Sequence, residues 1–231
     1  MEHPEPEANL FRMVPHNWVK DRAMLADAID LIDKLPKVYR FLFNAIFWDG
    51  ERFRRYCTCP SSMEAHHNYD SGNLMHSVEL AQWMRNSTKD SDPSKYALAV
   101  LVGLLHDAGK ADEYLLTTSG RWKMTDRGRL LGHKVTIIEW IAAAYNRYKV
   151  NNLPREHYLA LLHCLSCHPY APEWLGIRAP KMPEAALLAG LDHVSGQLEL
   201  MQRCSKEYSG WGSFHEKLRG RQPYQPAPLS E

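Results

Sequence analysis

Leu98-Ala99-Val100-Leu101-Val102-Gly103-Leu104-Leu105-His106-Asp107-Ala108-Gly109-Lys110 is the stretch on which the fold turns. Its apolar run predicts a buried helix from about Tyr96 to His106. A His and an Asp follow directly at the end of that run. Two adjacent polar groups there are costly unless something pairs them. A divalent metal does so, because neutral imidazole and carboxylate are both good ligands. A helix end closed by polar residues, with Gly109 at the C′ position, is the structural alternative.

Outward from this segment the helical period continues in both directions. Upstream, Met24, Leu25, Ala28, Ile29, Leu31, Ile32 and Leu35 follow the spacing of an amphipathic helix, which Pro36 breaks. Tyr39, Leu42, Phe43, Ile46 and Phe47 form a second, which Asp49-Gly50 stops. Residues 51–72 read as mostly irregular, and the helical pattern returns at Asn73. Downstream, Thr117-Thr118-Ser119-Gly120-Arg121-Trp122 predicts a short hairpin or lid. Helices are expected from Gly132 to Tyr148, from Pro154 to about Ser166, and from Glu184 to Cys204, with a Pro-rich loop over 169–183. Few segments alternate with period two. The expected fold class is therefore all-α, a helical bundle with at most a small β-hairpin near 115–124. Residues 1–20 read as an N-terminal arm, 21–208 as the helical domain, and 209–231 as a flexible C-terminal tail or linker.

With 231 residues and 45% apolar content, the chain can bury a substantial core. Its net charge of +1 gives no global basic field to draw in nucleic acid, although a local groove can still be basic. No apolar run approaches the roughly 18 residues of a membrane span, so no membrane partner is expected. The odd number of cysteines, five, points to free thiols in a reducing cytoplasm. Cys164 and Cys167 have C-x-x-C spacing but no matching pair, since Cys57-Thr58-Cys59 is C-x-C.

His76, His133, His168 and Asp192 each lie beside or within a predicted helix. Taken singly, each has a plain structural role: a hydrogen-bonded core histidine, a helix start, a paired carboxylate. Taken with His106 and Asp107, they are the material of a multi-histidine metal site gathered from several helices. Two ions ~3.5–4 Å apart can clamp the attacking and leaving oxygens of a phosphoryl transfer and lower the pKa of a water.

His76, then Leu105-His106-Asp107-x-Gly109-Lys110, then Gly132-His133, then a His near 163–168, then Asp192 resembles the HD superfamily of metal-dependent phosphohydrolases. The block from His66-His67 through Gly72-Asn73-Leu74 to His76 looks like that of HD-type 3′→5′ exoribonucleases and HD-type conjugative relaxases, the TraI-like domains. Pro183-Glu184-Ala185 leading to Asp192 is similar to the exonuclease family's last ligand block. Three positions depart from the pattern: Asn73 for a Gly, Cys167 for a His, and Ser195 for a second Asp.

The resemblance implies an HD-type helical domain with two divalent ions, Mn²⁺ ahead of Mg²⁺ or Fe²⁺. It implies metal ligands His76, His106, Asp107, His133, His168 and Asp192. The first ion falls to His76, His106, Asp107 and Asp192, and the second to Asp107, His133 and His168, with Asp107 bridging and His163 the alternative to His168. Asp107, Lys110 and His67 are the expected catalytic residues; His66, His67, Lys110 and Arg121 are expected to contact substrate. Arg121, Lys123, Arg127 and Arg129 around Trp122 suit a strand backbone with stacked bases, or a solvated loop. Tyr170 and Trp174 could stack on a base or pin their loop.

The expected activity is hydrolysis of phosphodiester bonds in single-stranded nucleic acid. A nucleotide phosphohydrolase and a non-catalytic, metal-containing nucleic-acid-binding module of a conjugation or phage system are the rivals. A diiron oxygenase is a minor fourth reading.

Overall fold

Asp21 caps the first helix, α1 (Arg22–Asp33), by accepting from the Met24 amide at 3.0 Å. Pro36 then opens α2 (Lys37–Ile46). The computed structural model describes residues 4–5, 7–63, 69–90, 92–218 and 221–229. Asp49 does not merely end α2. Its carboxylate accepts from the Glu51 and Arg52 amides and so starts α3 (Gly50–Thr58), where the sequence reading expected irregular chain. Phe53, Tyr56 and Cys57, at i, i+3 and i+4, are the buried face of α3.

The centre of the bundle is α4 (Gly72–Ser87) packed along α5 (Pro93–Leu105), which Asp92 caps. A short turn leads to α6 (Lys110–Glu113). The expected hairpin forms as β1 (Tyr114–Leu116) paired antiparallel with β2 (Trp122–Met124), Leu115 opposite Lys123. Gly120 turns it at φ +72°. Next come α7 (Asp126–Leu130), α8 (Gly132–Arg147), α9 (Arg155–Ser166) and α10 (Pro183–Cys204). The architecture is all-α with two small antiparallel ribbons. No helix among the described residues is long and apolar enough to cross a membrane.

Phe11, Phe43, Phe47, Phe53 and Tyr56 form one aromatic chain in the core, with neighbouring ring centroids 4.7–5.6 Å apart. Phe11 belongs to the segment that composition marks as an arm. Leu10, Phe11, Val14 and Val19 are nonetheless buried against α1 to α3, so this segment is part of the core. The C-terminal segment also holds structure. β3 (Gly210–Trp211) pairs with β4 (Tyr224–Gln225), and Leu218 packs on Leu200 and Cys204 of α10. All five cysteines are buried free thiols.

Candidate metal centre

Two glycines bring the centre together. A Cβ on Gly103 would lie 2.6 Å from the Ala81 backbone, so α5 can approach α4 this closely only without a side chain there. That approach sets His76 of α4 beside His106. A Cβ on Gly109 would lie 2.1 Å from the His133 carbonyl oxygen. Gly109 has helical φ (−62°), so it is not the left-handed cap the sequence admitted; it is the seat on which the start of α8 rests. α10 crosses α4 and α5 and supplies Asp192.

His76, His106 and Asp107 each offer a ligand atom, and these atoms all lie within 4.8 Å of one another. His106 Nε2 is 3.1 Å from His76 Nε2 and 3.4 Å from Asp107 Oδ2. His76 Nε2 is 3.1 Å from Asp192 Oδ1 and 3.6 Å from Asp107 Oδ2. The opposite ring edges fix the tautomers. Gly103 O, 2.8 Å from His106 Nδ1, can only accept, so Nδ1 carries the proton. Ser195 Oγ donates to Glu79 Oε2 at 3.0 Å and so receives the proton of His76 Nδ1, 3.3 Å away. Both Nε2 atoms therefore present lone pairs to the same point, where two carboxylate oxygens also arrive. Such a set fits a divalent ion, and its outer edges show the hydrogen bonding that orients histidine ligands.

The charges point the same way. Burial pushes the His76 pKa down and keeps that ring neutral. Burial also opposes charge on His106, but Asp107 and Asp192 outweigh it and raise its pKa. Burial would raise the Asp107 carboxyl, yet Lys110, His106 and His133 hold it well below its ordinary value. A buried carboxylate that stays ionised among imidazoles attracts a cation.

The two oxygens of Asp107 face different ways. Oδ2 meets His76 and His106, while Oδ1 lies 3.3 Å from His133 Nε2. His133 Nδ1 donates to the buried Glu113 carboxylate at 3.1 Å, which leaves Nε2 as its acceptor. Lys110 is also buried. Its ammonium is taken up by Asp107 Oδ2 at 2.5 Å and Ser61 Oγ at 3.3 Å.

The cluster opens on a cavity of 580 Å³ whose lining includes His106, Asp107, His133, His168, Tyr170 and Asp192. His168 thus shares the cavity, with Nδ1 accepting from the Tyr170 amide at 3.2 Å. His163, the alternative, accepts the Lys181 amide on Nε2 at 2.9 Å, a loop-fastening bond. Arg121 sits at the exposed hairpin turn, its carbonyl accepting from Thr117 at 2.9 Å. The expected basic cluster around it is divided. Arg127 pairs with Glu139 and donates to Thr136 at 3.0 Å, so it fastens α7 to α8. His66 and His67 lie outside the described residues.

Sequence reasoning missed the second layer: Glu113 on His133, and Ser195 with Glu79 on His76. Ser195 carried a signal as the departure from an expected Asp. The loss of a carboxylate there becomes an orienting hydroxyl. His193 and Lys134 also line the cavity and were not singled out.

The chain is similar to proteins named 3′-5′ exoribonuclease YhaM. It is 28% identical to that of Bacillus licheniformis over 197 residues, 84% of this chain and 60% of the relative. It is 28% identical to that of Listeria monocytogenes (strain EGD-e) over 162 residues, 70% of this chain and 50% of the relative. Against that of Bacillus subtilis strain 168 the figures are 26% over 171 residues, 72% and 52%. The chain thus spans about 50–60% of the length of these curated relatives. The similarity supports the exoribonuclease side of the sequence resemblance and not the relaxase side. No protein-family model and no solved structure matches the chain.

Proposed function

We propose that this chain is a metal-dependent phosphoric ester hydrolase, a nuclease that cuts phosphodiester bonds of single-stranded nucleic acid, RNA foremost. The observation that carries the reading is the convergence of His76 Nε2, His106 Nε2 and the Asp107 and Asp192 carboxylates on one point at the floor of an open cavity. The similarity to 3′-5′ exoribonucleases supports the substrate class and the direction of attack.

In this reading His76, His106, Asp107 and Asp192 hold one ion. Asp107, His133 and His168 would hold a second. Mn²⁺ is the first choice of metal, ahead of Mg²⁺ and Fe²⁺. Divalent ions in such a site supply Lewis-acid polarisation of phosphate oxygens and lower the pKa of water. The chain's own residues do the rest. Lys110 keeps Asp107 ionised and fixed, a positioning role. Glu113 and Ser195 fix the rings of His133 and His76. His66 and His67 contact the substrate phosphate, with His67 protonating the leaving oxygen. Arg121 at the hairpin turn meets the strand backbone as it enters, and the protein acts in the cytoplasm.

The test is degradation of an end-labelled oligoribonucleotide with Mn²⁺, compared with mononucleotides and with Asp107→Ala. Stepwise shortening that disappears in the variant is expected. Cleavage of mononucleotides with oligonucleotides left intact would replace the nuclease by a nucleotide phosphohydrolase. Bound metal with neither substrate turned over would favour the non-catalytic module.

A further inference from the structure

The second ribbon has no role in the metal centre, yet it is firmly built. The Ser213 amide donates to Cys204 O at the end of α10, and the Gly212 amide donates to Pro223 O, both at 2.7 Å. A Cβ on Gly212 would lie 2.0 Å from Cys204 O, so the ribbon sits directly on the helix end. Leu218 closes the small core beneath it. What this scaffold displays is aromatic. Tyr208, Trp211, Phe214 and Tyr224 are between 58% and 75% exposed. Trp211 and Tyr224 are directly opposed across the ribbon, share one face, and lie edge to face with centroids 5.2 Å apart. Four large aromatics held mostly in solvent contribute little to the fold and leave much of their ring surface open to a ligand.

The surrounding charge is positive. Residues 203–225 carry five Lys or Arg against two Glu, a net of +3 in a chain whose total is +1. The Lys206 ammonium lies at the ribbon itself, 3.8 Å from where a Gly210 Cβ would stand. Fixed aromatic faces beside cations suit a single-stranded nucleic acid, whose bases stack while its phosphates pair with the cations. A protein partner's apolar patch would not call for the positive charge. The ribbon stands at the end of the helix that carries Asp192. Twelve residues of α-helix separate Asp192 from Cys204, about 18 Å at 1.5 Å per residue. That is about five stacked nucleotides.

We infer that the β3–β4 ribbon is a second, non-catalytic binding site for single-stranded nucleic acid, which stacks bases of the strand some nucleotides away from the bond being cut. The inference rests on the nuclease reading for its substrate. The test therefore separates the two. Binding of a fluorescein-labelled oligoribonucleotide of about 12 nucleotides is read by anisotropy in EDTA, where no turnover occurs. Hydrolysis of a trinucleotide with Mn²⁺ is read separately, because a trinucleotide is too short to span both sites.

In the Trp211→Ala/Tyr224→Ala variant the long strand is expected to bind about tenfold more weakly or worse, while trinucleotide hydrolysis is unchanged. Trp211→Phe should keep most of the affinity, and Lys206→Ala should flatten the salt dependence. Unchanged affinity in the double variant, or no binding of the long strand by the wild type, overturns the inference. So does a change of oligomeric state at unchanged affinity, since the ribbon would then be a contact between copies. Weakened binding of the long strand in a protein that hydrolyses nothing would leave the ribbon site standing and remove the nuclease.

Discussion

The floor of the cavity and the hairpin beside it are built on opposite terms. The floor is dense: His76, His106, Asp107, Lys110 and Glu113 are all buried, and each is held by a specific partner. The β1–β2 hairpin is open, with Leu115, Leu116 and Met124 exposed and Arg121 at its turn. A side-chain bond ties it back, from Trp122 Nε1 to Asp70 Oδ1 at 3.0 Å. A floor so built cannot yield without losing its geometry. The hairpin can change without disturbing the floor. Chemistry should therefore be brittle to changes in the first region and tolerant of changes in the second.

The largest effect is expected at Asp107. Asp107→Ala removes a carboxylate that lies beside His76, His106 and His133 and leaves the buried Lys110 ammonium without its counter-charge. Breaking a buried pair in this way costs about 3–5 kcal/mol. Thermal denaturation in EDTA should show that loss. The same variant should lose the rise in melting temperature that Mn²⁺ gives the wild type. For a site filled at 100 times its Kd that rise corresponds to about 2.7 kcal/mol. A variant that still gains stability from Mn²⁺ would show that Asp107 is not a ligand.

The glycines sharpen the contrast, because the same substitution has different physical causes in the two regions. Gly109→Ala forces a methyl against His133 O, 2.1 Å away, and must push α8 off its seat. A cost of about 1–3 kcal/mol and a fall in activity are expected together. Gly120→Ala at the hairpin has open space around it and only its φ of +72° to oppose it. It should cost about 1 kcal/mol in the hairpin alone and leave activity intact. If Gly120→Ala inactivates the protein as well, the hairpin is not a tolerant region.

A smaller effect is expected one layer out. Glu113→Gln keeps a hydrogen bond to His133 Nδ1 but removes the charge that favours its Nε2 as a ligand. Outer partners of this kind are worth about 10–100-fold in metal affinity. Calorimetric titration with Mn²⁺ should show one weakened site and an unchanged fold. Equal loss at both sites would contradict the division of Asp107 between two ligand sets.

The sequence carried the floor well and its surroundings poorly, for physical reasons. The run from Leu98 to Leu105 has no polar residue, so its burial was forced, and the next two residues had to be paired. α10 and the hairpin were legible from Pro183 and from the Thr117–Trp122 turn signals. α3 was missed because Asp49-Gly50 was read as a stop, while its carboxylate in fact caps the following helix. Phe11 was missed because acidic and Pro-rich neighbours masked a segment whose Leu10, Phe11, Val14 and Val19 reach the core. Glu113 and Ser195 could not be found by spacing. Each acts on a histidine from another part of the chain, and only the packing of α6 against α8 and of α10 against α4 brings them there.

The smallest effect belongs to Arg121. Its side chain lies at the exposed hairpin turn, so Arg121→Ala should not change the melting temperature or the affinity for Mn²⁺. If it meets the phosphate backbone of an incoming strand, its loss removes one counterion-releasing contact. The slope of log affinity against log salt should then fall by about 1, and to the same degree for every sequence tested. A change confined to one base would make Arg121 a reader of sequence instead of backbone. No change at all would place the strand against the cavity lining that includes Tyr170 and His193, and not on the hairpin.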